Sequence, residues 1–197
     1  MALHWALEAL CLLPLLNPQN PACTNVTAMP ITSATLDWLN RRWFLVASAL
    51  RKPEYKQGAQ DLQAEFFYFD THPRENAATI REHMTIGDHC IQNSTLLTVQ
   101  RENGTLTKVV NDKVYVAHLL LLRDPQSFML GFHLDDAHNR GLVFYTDKPE
   151  ASPEQLQDFH EAIECVGLNT SEILYVDWKK NKCELKQQEK TKGEQEA

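Results

Sequence analysis

At 197 residues the chain is sized for one ordinary domain with tails, and a hydrophobic content of 43% can fill its core. A formal net charge of −7 excludes nucleic acid and anionic membrane surfaces as main partners. No run of about 18 apolar residues occurs, so no stable membrane insertion is expected.

Trp5 to Leu16 is apolar apart from Glu8 and too short to span a bilayer, which reads as a secretory signal over residues 1–18. Cleavage before Gln19 removes Cys11 and leaves Cys23, Cys90, Cys165 and Cys183. An even number of cysteines in a secreted chain suggests two disulfides, with three connectivities open. Their spacing contains no C-x-x-C pair, so no zinc or other metal centre is expected. Four N-x-[ST] sequons, at Asn25, Asn93, Asn103 and Asn169, agree with secretion and predict surface positions for glycans.

In chain order, residues 19–34 form an irregular arm pinned at Cys23. A helical run, Thr35 to Asn40, leads into Asn40 to Leu50, a stretch of β-branched, aromatic and small apolar side chains long enough for one strand. Lys52-Pro53-Glu54-Tyr55 breaks the pattern and predicts a long loop to about Gln60. Leu62 to Phe69 has aromatics on both faces, so both faces should be covered. After a turn over His72 to Asn76, Ala78 to Ile86 alternates, with Ile80, Glu82 and Met84 on one face. Gly87-Asp88 turns the chain into Cys90 to Arg101, with Leu97 and Val99 on one face. Asn103-Gly104 is the strongest hairpin signal and predicts a type I′ turn into Leu106 to Val110. Beyond Asn111-Asp112-Lys113, the nearly all-apolar run Val114 to Leu122 predicts a fully buried strand. Phe128 to Phe132 and Gly141 to Thr146 complete eight strands.

The period then changes. Ser152-Pro153-Glu154-Gln155 predicts an N-cap, a proline in the first turn and a capping box. Leu156, Phe159, Ile163 and Val166 follow as one apolar helical stripe. Ile173 to Trp178 is a short last strand, and residues 184–197 form a charged tail expected to be disordered. Eight short, mostly hairpin-connected strands followed by a helix define the expected class: an all-β, eight-stranded up-and-down antiparallel barrel over residues 19–183, with one C-terminal helix packed outside. A barrel of eight strands encloses room for one small ligand.

A helical turn, then Trp43, then a long apolar strand resembles the start of a lipocalin, where the tryptophan plugs the closed end of the barrel. Pro30-Ile31-Thr32, Glu65-Phe66-Phe67-Tyr68, Gln100-Arg101-Glu102-Asn103-Gly104-Thr105, Ala117-His118-Leu119, Phe128-Met129-Leu130, Asp147-Lys148-Pro149-Glu150 and Asp177-Trp178-Lys179-Lys180 extend the likeness over nearly the whole chain, to a plasma branch of that family. The resemblance implies secretion by liver into plasma, an acute-phase role, and binding of lipophilic and basic small molecules, including drugs and steroids. It also implies the disulfides Cys23–Cys165 and Cys90–Cys183. The chain departs from the family pattern in four places: Arg41 in place of the G-x-W glycine, Ser33 where a sequon is common, Leu45 for tyrosine, and Lys108 for arginine.

Alternation places a set of side chains inside the barrel. The expected ligand-binding residues are Trp43, Phe67, Ile80, Glu82, Leu97, Lys108, Val110, Tyr115, Ala117, Phe128, Leu130, Phe132 and Tyr145, which the resemblance places on the same faces. Mostly apolar with a few polar groups, they have the make-up of a ligand cavity. Glu82 reads either as a solvated strand residue or as a pocket carboxylate. Lys108 reads either as a snorkelling surface lysine or as a pocket donor. No catalytic residue and no cofactor are expected: every mature cysteine has a partner available, the histidines are scattered, and no Ser-His-Asp, H-E-x-x-H or phosphate-loop pattern occurs. Two functions remain open. One is a monomeric carrier of small lipophilic or cationic ligands. The other is an immunomodulatory glycoprotein acting through its surface and glycans, with an incidental cavity.

Overall fold

The computed structural model describes residues 26, 28–72 and 74–184. The expected signal, Cys23, Asn25 and the tail beyond Glu184 lie outside the described residues.

Thr32 caps helix α1 (Ser33–Leu39) in a capping box with Thr35, and Leu36 and Leu39 on its inner face are fully buried. The first strand, β1 (Arg42–Leu50), starts after two intervening residues. A second helix, α2 (Pro53–Asp61), follows where a loop is expected. The proline that breaks the strand pattern stands in the first turn of this helix, where its missing N–H costs nothing. Tyr55, Ala59 and Leu62, at i, i+4 and i+7, pack toward the barrel.

The strands β2 (Leu62–His72), β3 (Ala77–Ile86), β4 (His89–Gln100), β5 (Thr105–Val110), β6 (Lys113–Leu121), β7 (Ser127–Phe132) and β8 (Gly141–Thr146) form one antiparallel meander. It closes on itself because β1 pairs with β8 on one edge and with β2 on the other, from Arg42↔Tyr68 to Phe44↔Phe66. This is the expected eight-stranded barrel. A short ninth strand, β9 (Ile173–Tyr175), extends the second edge of β1 by pairing with Ala47–Ala49. A 3-10 turn over Trp178–Lys180 stands where the last strand was expected to end.

Two local expectations are corrected. The type I′ turn lies one hairpin further on. Asn111 and Asp112 both take positive φ (49° and 61°) between the paired Val110 and Lys113. The Asn103-Gly104 connection is instead a four-residue loop, Arg101 to Gly104, in which only Gly104 has positive φ. A side chain at Gly104 would come within 2.3 Å of the Met29 carbonyl, because the N-terminal arm lies against this loop. Ile31 N–H donates to the Arg101 carbonyl at 2.8 Å. Similarly, β6 is not buried on both faces, since Val114 and Val116 are 63% and 42% exposed. The outer side of its first half is uncovered, while Leu120 near its end is fully buried in the core beneath α3 (Pro153–Cys165).

Helix α3 begins as expected, with Ser152 and Gln155 closing the capping box. Phe159 and Ile163 are fully buried, and Phe159 stacks on Phe144 of β8 at 5.1 Å and 9°. Together with Val46, Leu120, Met129 and Leu142 they form a core outside the barrel wall. The core inside the wall is separate and includes Trp43, Phe67, Leu119, Phe128 and Tyr145. Phe159→Ala is expected to lower unfolding free energy by about 3–5 kcal/mol, read from the urea midpoint. A loss under about 1 kcal/mol would show that α3 contributes little to holding the barrel.

Candidate functional site

One end of the barrel is filled. Trp43 is fully buried there, edge-on to Phe128 at 4.8 Å and tilted against Trp38 at 4.9 Å. The indole N–H of Trp43 donates to the Leu39 carbonyl at 3.0 Å, and that of Trp38 to the Pro125 carbonyl at 2.7 Å. Arg41, standing where the G-x-W pattern has glycine, does not require a positive φ. Its guanidinium lies 5.2 Å from the Trp43 ring and 5.8 Å from the Trp38 ring, a cation–π cover on the closed end.

Above this floor the barrel is hollow. An inner cavity of about 110 Å³ is lined by Glu65, Phe67, Phe69, Ile80, Glu82, Leu97, Leu106, Lys108, Tyr115, Ala117, Leu130, Phe132 and Tyr145. An outer cavity of about 400 Å³, at the mouth, is lined by Leu50, Glu54, Tyr55, Lys108, Val110, Tyr115, Phe132 and Val143. Lys108, Tyr115 and Phe132 line both, so the two adjoin. Tyr55 of α2 stands over the mouth, 5.9 Å from Tyr115 and 5.5 Å from Phe132 between ring centres.

The cavity holds few polar groups. Glu82 is 8% exposed, and its Oε1 lies 4.0 Å from Lys108 Nζ. Asn93 Nδ2, directly across the β3–β4 ladder, donates to Glu82 Oε2 at 3.2 Å. Lys108 also lies 5.9 Å from the Tyr115 ring centre. Thus the carboxylate and the ammonium, each ambiguous in sequence, meet inside the mouth. Glu65 is likewise 8% exposed, yet no hydrogen bond or ion pair reaches it among the described residues. Burial, then the nearby Glu82 carboxyl, push its pKa up to about 8, against a smaller opposing pull from Lys108. Burial and the same two carboxyls raise the Tyr145 phenol well above its ordinary value, so it remains a neutral hydroxyl.

Of the residues expected to bind ligand, all but Trp43 and Phe128 line these cavities. Those two are corrected to the floor. Trp43 is sealed beneath Phe128, and Phe128 beneath Tyr145, on which it stacks at 5.2 Å. Glu65 shares the inward parity of Phe67 and Phe69, a signal in the sequence that identifies it. Glu54 and Tyr55 carry no such signal, because the helix that brings them to the mouth reads as a loop. Cys90–Cys183 is a disulfide, and Cys165 is disulfide-bonded. The expected partner Cys23 and the sequon at Asn25 lie outside the described residues. Asn93, Asn103 and Asn169 are all exposed.

A hollow barrel with one plugged end and an apolar cavity defines a class of small-molecule binding proteins. Residues 40–180 match the Lipocalin / cytosolic fatty-acid binding protein family. Alpha-1-acid glycoprotein of Oryctolagus cuniculus is 51% identical over 199 residues, covering 100% of this chain and 99% of that protein. Alpha-1-acid glycoprotein 1 of Mus musculus is 47% identical, covering 93% and 89%, and the Bos taurus protein 43% identical, covering 100% of both. Among solved structures, the siderocalin Ex-FABP superposes with a TM-score of 0.57 at 11% identity, covering 71% of this chain and 93% of that one, a likeness of fold. This chain belongs to the lipocalin family, on its alpha-1-acid glycoprotein branch.

The raised Glu65 pKa links stability to pH. The folded protein keeps a proton that an ordinary carboxyl loses near 4.5, so stability falls as pH rises from about 4.5 to about 8 and then levels. Glu65→Gln should therefore raise stability by about 2–4 kcal/mol at neutral pH, and several degrees in Tm, with the gain vanishing toward the ordinary carboxylate pKa. Thermal melts at several pH values check this. A gain independent of pH would place the cause elsewhere.

Proposed function

We propose that this chain is a secreted, monomeric plasma carrier that holds small lipophilic and basic molecules, drugs and steroids among them, inside the barrel. In plasma it serves as an acute-phase, immune-modulating glycoprotein. The observation that carries the reading is the Glu82–Lys108 pair, 4.0 Å apart in a cavity otherwise lined mainly by apolar and aromatic side chains.

Magnitudes explain why the pair matters. A drug-sized ligand hiding about 300 Å² of apolar surface gains roughly 7 kcal/mol. Association costs several kcal/mol in return. Apolar burial alone falls short of the roughly −8 kcal/mol of micromolar binding. A polar anchor adds the difference. Glu82 suits an amine, which can take the place of the lysine ammonium beside it. Lys108 suits acids and carbonyl oxygens. Because the floor residues are sealed off, Trp43 is a poor reporter of occupancy, and calorimetry is the better assay.

Glu82→Gln is expected to weaken cationic ligands by about tenfold, on the order of 1.4 kcal/mol, and neutral steroids much less. Lys108→Met is expected to weaken acidic ligands selectively. Titration calorimetry of both variants with a cationic, a neutral and an acidic ligand tests this. Equal losses for cationic and neutral ligands in Glu82→Gln would remove the carboxylate as anchor.

A second reading, a glycoprotein acting mainly through its surface, is supported by the exposure of Asn93, Asn103 and Asn169. The two readings meet at Asn93. A glycan on its Nδ2 leaves one N–H there, and that N–H can still serve Glu82. Peptide mapping of secreted protein should find Asn103, on the loop between β4 and β5, glycosylated. An unmodified Asn103 would count against this surface reading.

A further inference from the structure

The cavity contains one more acid than the ion pair uses. Glu65 on β2 and Glu82 on β3 both line the inner cavity. Glu82 is supplied with Lys108 and Asn93, whereas Glu65 is more than nine-tenths buried, opens into the cavity and has no partner among the described residues. An unpartnered carboxyl in such a place costs free energy unless it is neutral or something arrives to face it.

The groups around Glu65 can be named strand by strand. Glu82 comes from β3, Lys108 from β5, Tyr115 from β6 and Tyr145 from β8. The other lining strands contribute Leu97, Leu130 and Phe132, which do not titrate. Glu54 and Tyr55 of α2 stand further out, at the mouth. Hence the immediate charges are two carboxyls and one ammonium. With Glu65 protonated, the ion pair leaves the empty cavity neutral. With Glu65 ionised, the cavity carries one uncompensated negative charge in apolar surroundings.

We propose that Glu65 is a second cation-recognising carboxyl of the cavity, protonated when the cavity is empty, and that a cationic lipophile enters in exchange for its proton. The inference rests on the cavity being the ligand site. The exchange balances: the O–H bond of Glu65 breaks, its electron pair stays on the carboxylate, the proton passes to water, and the ligand's positive charge takes its place. The cavity keeps its net charge, and Lys108 need not leave Glu82. The Tyr145 hydroxyl, also without a partner among the described residues, is free to donate to the new carboxylate. The raised affinity of empty-state Glu65 for its proton, with a pKa of about 8, sets the range in which the exchange is visible. A neutral lipophile of the same size meets a protonated Glu65 and displaces nothing.

The test is titration calorimetry of the full-length secreted protein at pH 7.0, repeated in buffers of different ionisation enthalpy. The probes are decyltrimethylammonium, whose charge is fixed, and 1-decanol, its neutral counterpart. The expected result is release of close to one proton per ammonium ion bound and none with decanol. Affinity for the ammonium probe should rise by roughly tenfold from pH 6 to pH 7, as linkage to one proton requires. Glu65→Gln and Glu65→Leu, checked for native near-ultraviolet circular dichroism, should release no proton. As a readout that needs no variant, the infrared difference spectrum of wild-type protein should lose a protonated-carboxyl C=O band on adding the ammonium probe. Ammonium binding with no proton release, or release retained in both variants, overturns the proposal and leaves the carrier reading standing. Failure of both probes to bind overturns the two together.

Discussion

The barrel depends on β1 being hydrogen-bonded along both of its edges. One edge pairs with β8 from Phe44 to Leu50. That edge has a register shift between Leu45 and Ala47, and the other pairs first with β2 and then with β9. A meander from β2 to β8 alone would leave two open edges, each a row of unpaired peptide groups. β1 joins them, and only then does the sheet have an inside. Leu50 and Gly141 end this seam at the mouth. The two strands come so close there that a side chain on Gly141 would meet Leu50 within 2.4 Å. The alternating side chains of β1 then serve opposite cores. Trp43 and Leu45 enter the barrel. Phe44 packs edge-on to Trp178 at 5.2 Å and lies in one outer cluster with Phe66 and Cys183, while Val46 packs in the core under α3.

The two ends of the barrel put charge to opposite uses. At the closed end, the Arg41 guanidinium stays outside and covers the faces of two tryptophans, so a residue that departs from the family pattern still completes the plug. At the open end, charges lie within the wall. Glu65 and Glu82 differ little in burial, yet they differ in partners. Glu82 has an amide and an ammonium beside it. Glu65 has none, and burial first and the repulsion of Glu82 second hold its proton against a smaller attraction from Lys108.

Much of this was readable from residues. Alternation in β3 placed Ile80 and Glu82 on the inner face, and the Ser152–Gln155 capping box located α3. Reading the same alternation one step further along β2, from Phe67 to Glu65, reaches the second carboxyl. Failures came where local chemistry had two outcomes. Pro53 ends a strand and also begins a helix, and only packing of Tyr55 against Tyr115 and Phe132 favours the helix. Asn103-Gly104 suits a two-residue turn, but the N-terminal arm against Gly104 holds a longer loop. An apolar run such as Val114 to Leu122 does not reveal how far a second layer covers it, and here only its second half, at Leu120, lies under one.

The sequence by itself determined the strand order, the inner and outer faces of most strands, the external helix and the residue types available to the cavity. These follow from periods of two and of 3.6 residues and from caps, all of which are local. Tertiary structure alone decided where the hollow begins and which charges meet in it. Trp43 and Phe128 share the inward parity of the lining residues, yet they fill the barrel, because α1 closes that end and pushes their rings together. Lys108 on β5 reaches Glu82 on β3 past the intervening β4, from 26 positions later in the chain. Parity gives a side chain its direction, and only closure of the sheet gives it a depth and a neighbour.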